Sequence, residues 1–462
     1  MFRKFIGDKA FYRRVMAIAL PIILQNLITN FVSLLDNVMV GQLSTAQISA
    51  VTIVNNNLLF VFNLCMFGGA AGAGIFTTQF YGSQNNEGVR HTFRFKLLIS
   101  VLLTVLGAAL FFFGGDSLIG LYLQGEGDPA TAADTLYYGR QYMRIMLLGL
   151  LPFGLTNAYA GTLRECGHPT VPMLAGFAAM IVNIVFNYVL IFGNFGAPAL
   201  GVQGAAIATV MARFTELAIV VGWTHLHKEK CPYVKGLYKS FHIPGKLFKS
   251  IVLRGMPLLV NECLWSTGMA VLNQSYSYCG LDVVPALSIA FTINNLASVV
   301  YHSLGNTVGI LTGQMLGAGR PDEVVKDHNR KLTALCTLSG AVFGLIAIAL
   351  SGVFPLLYNT TDSVRLLASR MILIMGVIMP FPAYIFPVYF TLRAGGKTLS
   401  TFLFDCGSVW LITIPLAYCL SRFTSLPILV IFTLCNATDI VKAFVGYFMV
   451  RRGDWIQNLT TK

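Results

Sequence analysis

Apolar residues run in long blocks along the chain, broken by short polar stretches. The blocks fall at about 15–42, 49–82, 93–115, 137–163, 170–193, 203–226, 250–279, 284–316, 332–355, 367–392, 398–420 and 427–450. A helix needs roughly 20 apolar residues to cross the hydrocarbon core of a bilayer, and every block meets that length. The pattern therefore predicts an all-α integral membrane protein with twelve transmembrane helices. Pro21, Pro152, Pro257, Pro380, Pro382, Pro387 and Pro415 fall within blocks. They predict kinks, because proline lacks an N–H and its ring clashes with the preceding turn.

The longest polar stretch, 227–249, separates six blocks from six. It divides the chain into an N-lobe (1–226), a cytoplasmic linker (227–249) and a C-lobe (250–462). The lobes resemble each other in sequence. TTQFYGSQNNEGVRHTFRFKL (77–97) parallels TGQMLGAGRPDEVVKDHNRKL (312–332), so Gln79 and Gly82 correspond to Gln314 and Gly317. TLRECGHPT (162–170) parallels TLRAGGKTL (391–399), and ALPIILQN (19–26) parallels GMPLLVNE (255–262). Each unit has an even number of spans, so both enter the membrane in the same sense, and the pseudo-twofold runs along the membrane normal. Ala70, Gly74 and Thr78, matched by Gly305, Gly309 and Gly313, have the spacing that lets helices approach closely, and are expected to pack lobe on lobe.

Charge refines this picture. Only 11% of the 462 residues are charged against 55% hydrophobic, which excludes an ordinary soluble enzyme. The formal charge of +13 sits in loops. With the amino terminus inside, cytoplasmic segments collect 25 Lys and Arg, from Arg3 to Lys462, against four outside, where Asp116, Glu126, Asp128, Asp134, Asp282 and Asp362 gather. The asymmetry predicts a multi-pass protein of the cell membrane with both termini cytoplasmic. It also predicts contact with anionic lipids at the cytoplasmic face and no nucleic-acid partner. The nine cysteines are scattered without metal-binding spacing and read as packing residues. The amino-terminal segment lacks a cleavage site and is expected to remain as the first span. AGGKT (394–398) has Thr391 where a phosphate-binding loop needs glycine, so neither a cofactor nor enzymatic chemistry is expected.

An unpaired charge at mid-bilayer costs several kcal/mol and marks a cavity or a partner. Five acids lie inside blocks: Asp36, Glu216, Glu262, Asp405 and Asp439. Glu216 has Arg213, and Asp439 has Lys442, three residues away, so both are expected to form structural ion pairs on their own helices. Asp36 has no nearby cation. Asn183 and Asn187 stand one turn apart at similar depth, with Thr209 close in depth on the next span. These four oxygen-bearing side chains suit a small cation, or a proton on Asp36. Glu262 follows Pro257, whose ring frees backbone carbonyls, and is a second ion-coupling candidate. Asp405 lies nearer the cytoplasm and reads as helix-bonding. Tyr142, Asn157 and Tyr159 are candidates to line a substrate cavity.

ALPIILQNLITNFVSLLDNVMVGQL (19–43), TQFYGSQN (78–85), TLRECGHP (162–169), GVQGAAIATVMARFTE (201–216) and TLRAGGKT (391–398) resemble the multidrug and toxin extrusion (MATE) family. The resemblance implies a monomeric secondary antiporter, in which H+ or Na+ influx drives export of small organic, often cationic, molecules by alternating access. It implies that Asp36 is the first-helix acid of the family, Asn183 and Asn187 its fifth-helix polar pair and Thr209 its sixth-helix hydroxyl. Some proton-coupled relatives carry an acid where Asn187 stands. Glu262 resembles the seventh-helix acid of the sodium-coupled branch, whose tenth-helix acid is missing here. A flippase of lipid-linked substrates is the alternative within the same broad fold.

Overall fold

The computed structural model describes residues 4–123 and 128–461. Arg3, Glu126 and Lys462, used above to orient the chain, lie outside the described residues. The chain folds into helices: α1 (Lys9–Val40), α2 (Thr45–Val51), α3 (Phe60–Gly82), α4 (Asn86–Leu123), α5 (Pro129–Leu148), α6 (Leu150–Glu165), α7 (Thr170–Phe192) and α8 (Val202–Leu226). There follow α9 (Gly245–Ser277), α10 (Val283–Gly317), α11 (Asp322–Leu350), α12 (Asp362–Ile378), α13 (Pro380–Ala394), α14 (Thr398–Phe402), α15 (Ile414–Phe423) and α16 (Ile428–Arg452). A π-helical stretch, Thr52–Leu59, fuses α2 to α3, and two more, Leu403–Gly407 and Val409–Thr413, fuse α14 to α15.

Among the described residues, nine continuous helices are long and apolar enough to span a membrane, and two bent pairs bring the number to eleven. Helix α9, 33 residues long and more polar, is not among these and covers the seventh apolar block. Helices extend past the apolar blocks: α4 starts seven residues before the third block and α11 ten before the ninth. The added charged turns keep their backbone bonds within the helix.

The bends have local causes. α5 and α6 meet at 44° around Gly149, and α12 and α13 at 50° around Met379. Pro152 and Pro382 follow these breaks by three residues. Each ring would strike the carbonyl four residues earlier, Leu148 or Ile378, so the helix opens before the proline. Pro21 and Pro257 instead lie inside the unbroken α1 and α9.

The chain divides into two compact units. One, the amino-terminal unit, holds Leu20–Thr77 and Asn85–Leu259. The other, the carboxyl-terminal unit, holds Val260–Lys462 with Thr78–Gln84 and the residues up to Ala19. The divisions within α1 and α9 fall close to Pro21 and Pro257.

In the amino-terminal unit, Val54, Ile119, Met146 and Leu150 anchor an apolar core to which Tyr142 also belongs. The segment 227–244 is docked on α4. Buried Arg94 donates to the carbonyls of Gly236, Leu237 and His242 at 2.9, 2.9 and 3.2 Å, and Arg90 to that of Tyr233 at 3.1 Å. Two arginines counted for orientation thus cap backbone carbonyls. Lys96, also buried, pairs with Glu165. In the carboxyl-terminal unit Gln79 accepts from the Leu459 amide at 2.7 Å and donates to the carbonyls of Ala394 and Gln457 at 2.9 and 3.1 Å.

The small-residue stripes meet at one end, where a Cβ on Gly313 would overlap Thr78 within the carboxyl-terminal unit, and elsewhere pack otherwise than the sequence predicts. A Cβ on Gly74 would stand 2.6 Å from Glu165 Oε1, and Gly305 and Gly309 seat the Phe390 ring of their own unit. Glycine spacing gives the width of a groove, and here the groove is filled by a carboxylate and an aromatic ring.

Candidate functional site

The amino-terminal unit encloses a cavity of about 570 Å3, lined by α1, α6, α7, α8 and the first π-helical stretch. Helix α8 reaches α7 through Gly204, where a Cβ would stand 2.5 Å from the Leu190 carbonyl oxygen. Only glycine permits this approach. Farther along α8, Thr209 comes beside Asn183, whose amide reaches its hydroxyl at 3.5 Å. The Thr209 hydroxyl itself donates to the Ala205 carbonyl at 2.9 Å.

Asn183 Oδ1 accepts from Asn187 Nδ2 at 3.1 Å, because residues four apart share a helix face. The same nitrogen donates to Asp36 Oδ1 at 2.5 Å. Asp36, Asn187, Asn183 and Thr209 therefore form one hydrogen-bonded chain across three helices. Asn183 and Asn187 are buried, and Asn187 Oδ1 has no partner. A buried acceptor without a donor is costly, so this oxygen is available to a cation or a proton-bearing group. The π-helical stretch carries Asn55 to the same cavity.

Glu216 and Arg213 also line this cavity. Arg213 gives its guanidinium to the Gly149 carbonyl at 3.2 Å and lies over the Phe153 ring at 4.9 Å. It thereby closes the break between α5 and α6. Arg164, whose guanidinium reaches Gln25 at 3.4 Å, adds a second cation to the field of Glu216. The sequence assigns Glu216 an ion pair with Arg213 on its own helix; among the described residues the two make no ion pair, and the arginine instead serves the neighbouring bend.

The other sequence candidates lie elsewhere. Tyr142 sits in the apolar core. Asn157 donates to the Phe153 carbonyl at 3.1 Å, one turn back on its own helix. Tyr159 bonds His225 at 3.0 Å and Tyr238, at one end of an apolar groove of about 960 Å3 between α4, α6 and α8. Depth along a helix does not fix rotation about its axis, which decides the face a side chain takes.

Glu262 lines a separate cavity of about 350 Å3 in the carboxyl-terminal unit, together with Asp405, Asp439, Arg393 and Lys442. Lys442 pairs with Asp405 at 2.7 Å, not with Asp439 one turn before it, correcting the expected same-helix pair. The π-helical stretch Leu403–Gly407 carries Asp405 to α16, and π-helical turns recur at functional positions in proteins. Asn261 donates to the second Asp405 oxygen at 3.0 Å. Asp405 is thus helix-bonding, as expected, through a lysine that sequence spacing assigned elsewhere.

Nine to eleven helices long and apolar enough to span a membrane, with a polar, acid-bearing cavity in each unit, define a helical membrane transporter. The chain belongs to the MatE family, whose model matches residues 21–189 and 257–419. It is 23% identical over 419 residues to the probable multidrug resistance protein NorM of Thermotoga maritima, covering 90% of this chain and 87% of that one. It is 25% identical to the probable multidrug resistance protein YoeA of Bacillus subtilis, over 90% and 89% of the two chains. Among solved structures, MATE in the bent conformation aligns with a TM-score of 0.85 at 17% identity, over 100% of this chain and 99% of that one. MATE in the straight conformation aligns with a TM-score of 0.83 at 19% identity, over 98% of each chain.

Proposed function

We propose that the protein is a secondary antiporter of the cell membrane that exports small organic, often cationic, compounds in exchange for H+ or Na+. Relatives named as multidrug resistance proteins support the substrate class. The observation that carries the coupling reading is the chain from Asp36 through Asn187 and Asn183 to Thr209. It ends in a cavity wide enough for an organic molecule, so ion and substrate bear on the same walls.

Asp36 is the coupling group, and Asn183, Asn187 and Thr209 orient it. For Na+, the transported ion, the carboxylate, the free Asn187 Oδ1, Asn183 Oδ1 and the Thr209 hydroxyl are oxygen donors of the right hardness. For H+, Asp36 is the site and Asn187 holds the carboxyl in place. Loading either ion neutralises a charge inside the membrane and drives α1, unbroken here, to bend at Pro21, giving alternating access. The two lobes, 1–226 and 250–462, are the halves that alternate. The chain acts as a monomer with both termini in the cytoplasm, where its basic segments meet anionic lipid.

The test is drug accumulation in everted vesicles under an imposed proton or sodium gradient, in wild type and Asp36→Asn. Accumulation driven by one gradient and lost in the variant supports the reading. Equal accumulation without any gradient overturns it.

A further inference from the structure

The apolar groove between α4, α6 and α8 is open along one side: Leu98, Val101, Leu102, Val105 and Phe214 line it and remain exposed. Among its described lining residues only Tyr159 and Tyr238 carry a polar side-chain atom, so its 960 Å3 offers little to an ion or a sugar. It runs from Leu97 to Val105 on α4 and from Phe214 to Gly222 on α8, about 12 Å at 1.5 Å per residue. One leaflet of a bilayer holds about 15 Å of hydrocarbon. The groove therefore has the length of one leaflet's acyl chains.

One end is closed by residues that no apolar block supplies. Arg94, one turn before Leu98, holds the Gly236 and Leu237 carbonyls at 2.9 Å each, and this delivers Tyr238 to the groove. The Tyr238 ring stacks on His225, one turn after Val221, with 5.7 Å between centroids, and its hydroxyl bonds that of Tyr159. His225 Nε2 in turn lies 3.0 Å from the Tyr159 hydroxyl, and Phe241 packs 6.2 Å from Tyr238. All the polar atoms of the groove thus gather at this end. The charge beside them has one sign. Segment 227–244 carries Lys228, Lys230, Lys235 and Lys239 against Glu229 alone, and all four lysines are exposed. Among the described residues none of the four forms an ion pair. Lys239 adjoins Tyr238, and the charge of Lys228 reaches His225.

We propose that this groove is a binding site for one anionic phospholipid, its acyl chain lying along α4 and α8 and its phosphate at the Tyr159, Tyr238 and His225 end, against Lys228 and Lys239. This deepens the reading in which basic segments meet anionic lipid, and rests on it for the choice of the cytoplasmic leaflet. Bulk lipid fills an apolar groove without regard to headgroup. Two unanswered lysines at a fixed end select for negative charge, each by roughly fivefold and together by about 25-fold.

The test is native mass spectrometry of the full-length protein released from an uncharged detergent, titrated with phosphatidylglycerol or with phosphatidylcholine of the same chains. We expect the first phosphatidylglycerol to bind about tenfold or more tightly than phosphatidylcholine. Lys228→Gln/Lys239→Gln should bring the two lipids within about twofold of each other. Nothing stands within 4 Å of a Cβ at Gly222, so the ring of Gly222→Phe has room to enter the groove and should weaken phosphatidylglycerol several-fold. Ala218→Phe, one turn earlier, asks the same where Gly222→Phe fails to fold. Equal binding of both lipids by the wild type overturns the proposal. So does a preference that survives in the lysine variant, or unchanged binding in a folded groove-filling variant. Detergent has no sides, so these titrations do not depend on orientation; if trypsin reaches Lys235 and Lys239 only from outside, the leaflet is reversed and the site stands.

Discussion

Gly317 lies against the carbonyl of Gln79, so closely that any Cβ would overlap it, and the repeat-equivalent residues do the same: Gly82 lies against the carbonyl of Gln314. The duplicated Gln-x-x-Gly pieces at the ends of α3 and α10 thus pack reciprocally within the carboxyl-terminal unit. A methyl group has no room where two backbones touch, and the cost of such overpacking is about 1–3 kcal/mol. Gly317→Ala and Gly82→Ala should each lower the melting temperature in detergent. Wild-type thermal stability in both would mean that the helices separate without cost.

Asp36→Asn keeps the size of the side chain and an oxygen for the Asn187 amide, now 2.5 Å from Asp36 Oδ1. Gradient-driven export should fall to background while yield and melting temperature stay close to wild type. Parallel thermal-shift and vesicle-transport measurements on one preparation check this, and an unfolded variant would show that the acid is structural.

Arg213 caps the Gly149 carbonyl at the break between α5 and α6. Its removal leaves that carbonyl short of a donor and Glu216 short of a cation, a loss of about 1–3 kcal/mol. We expect Arg213→Ala to lower stability markedly and Arg213→Lys to recover part of it. A stable but transport-dead Arg213→Ala would move the residue from the bend to the mechanism.

Arg94 holds three carbonyls of the segment 227–244. Arg94→Ala should free that segment, and trypsin should cleave at Lys235 and Lys239 several-fold faster in everted vesicles. Cleavage only in right-side-out vesicles would reverse the orientation read from the loop charges.

How much of this was legible beforehand depended on the range of the interaction. The length of apolar runs is a local property, and it located every membrane pass to within about ten residues. Asp36 and Asn187 are 151 positions apart, yet equal depth in neighbouring spans pointed to one another, and the structure brings them together. Lys442 was matched to Asp439 because they share a helix. A π-helical turn in the preceding segment carried Asp405 closer, which no spacing on α16 could reveal. Tyr142 packs into the apolar core and Tyr159 faces a groove other than the Asp36 cavity, because helix rotation is set by packing. The docking of 227–244 was illegible, since an arginine on a loop and one that binds carbonyls look alike in sequence.

The hydrogen bonds of Gln79 bear on the order of synthesis. Its side chain is answered by residues 394, 457 and 459, the last two made almost four hundred positions after it. While the ribosome is still extending the chain, the end of α3 carries an amide whose partners do not yet exist. Water or the translocation machinery must satisfy it until the final turn past α16 arrives. Assembly of this protein is therefore completed from its far end, and shortening the chain by a few residues there would leave an early helix unfinished.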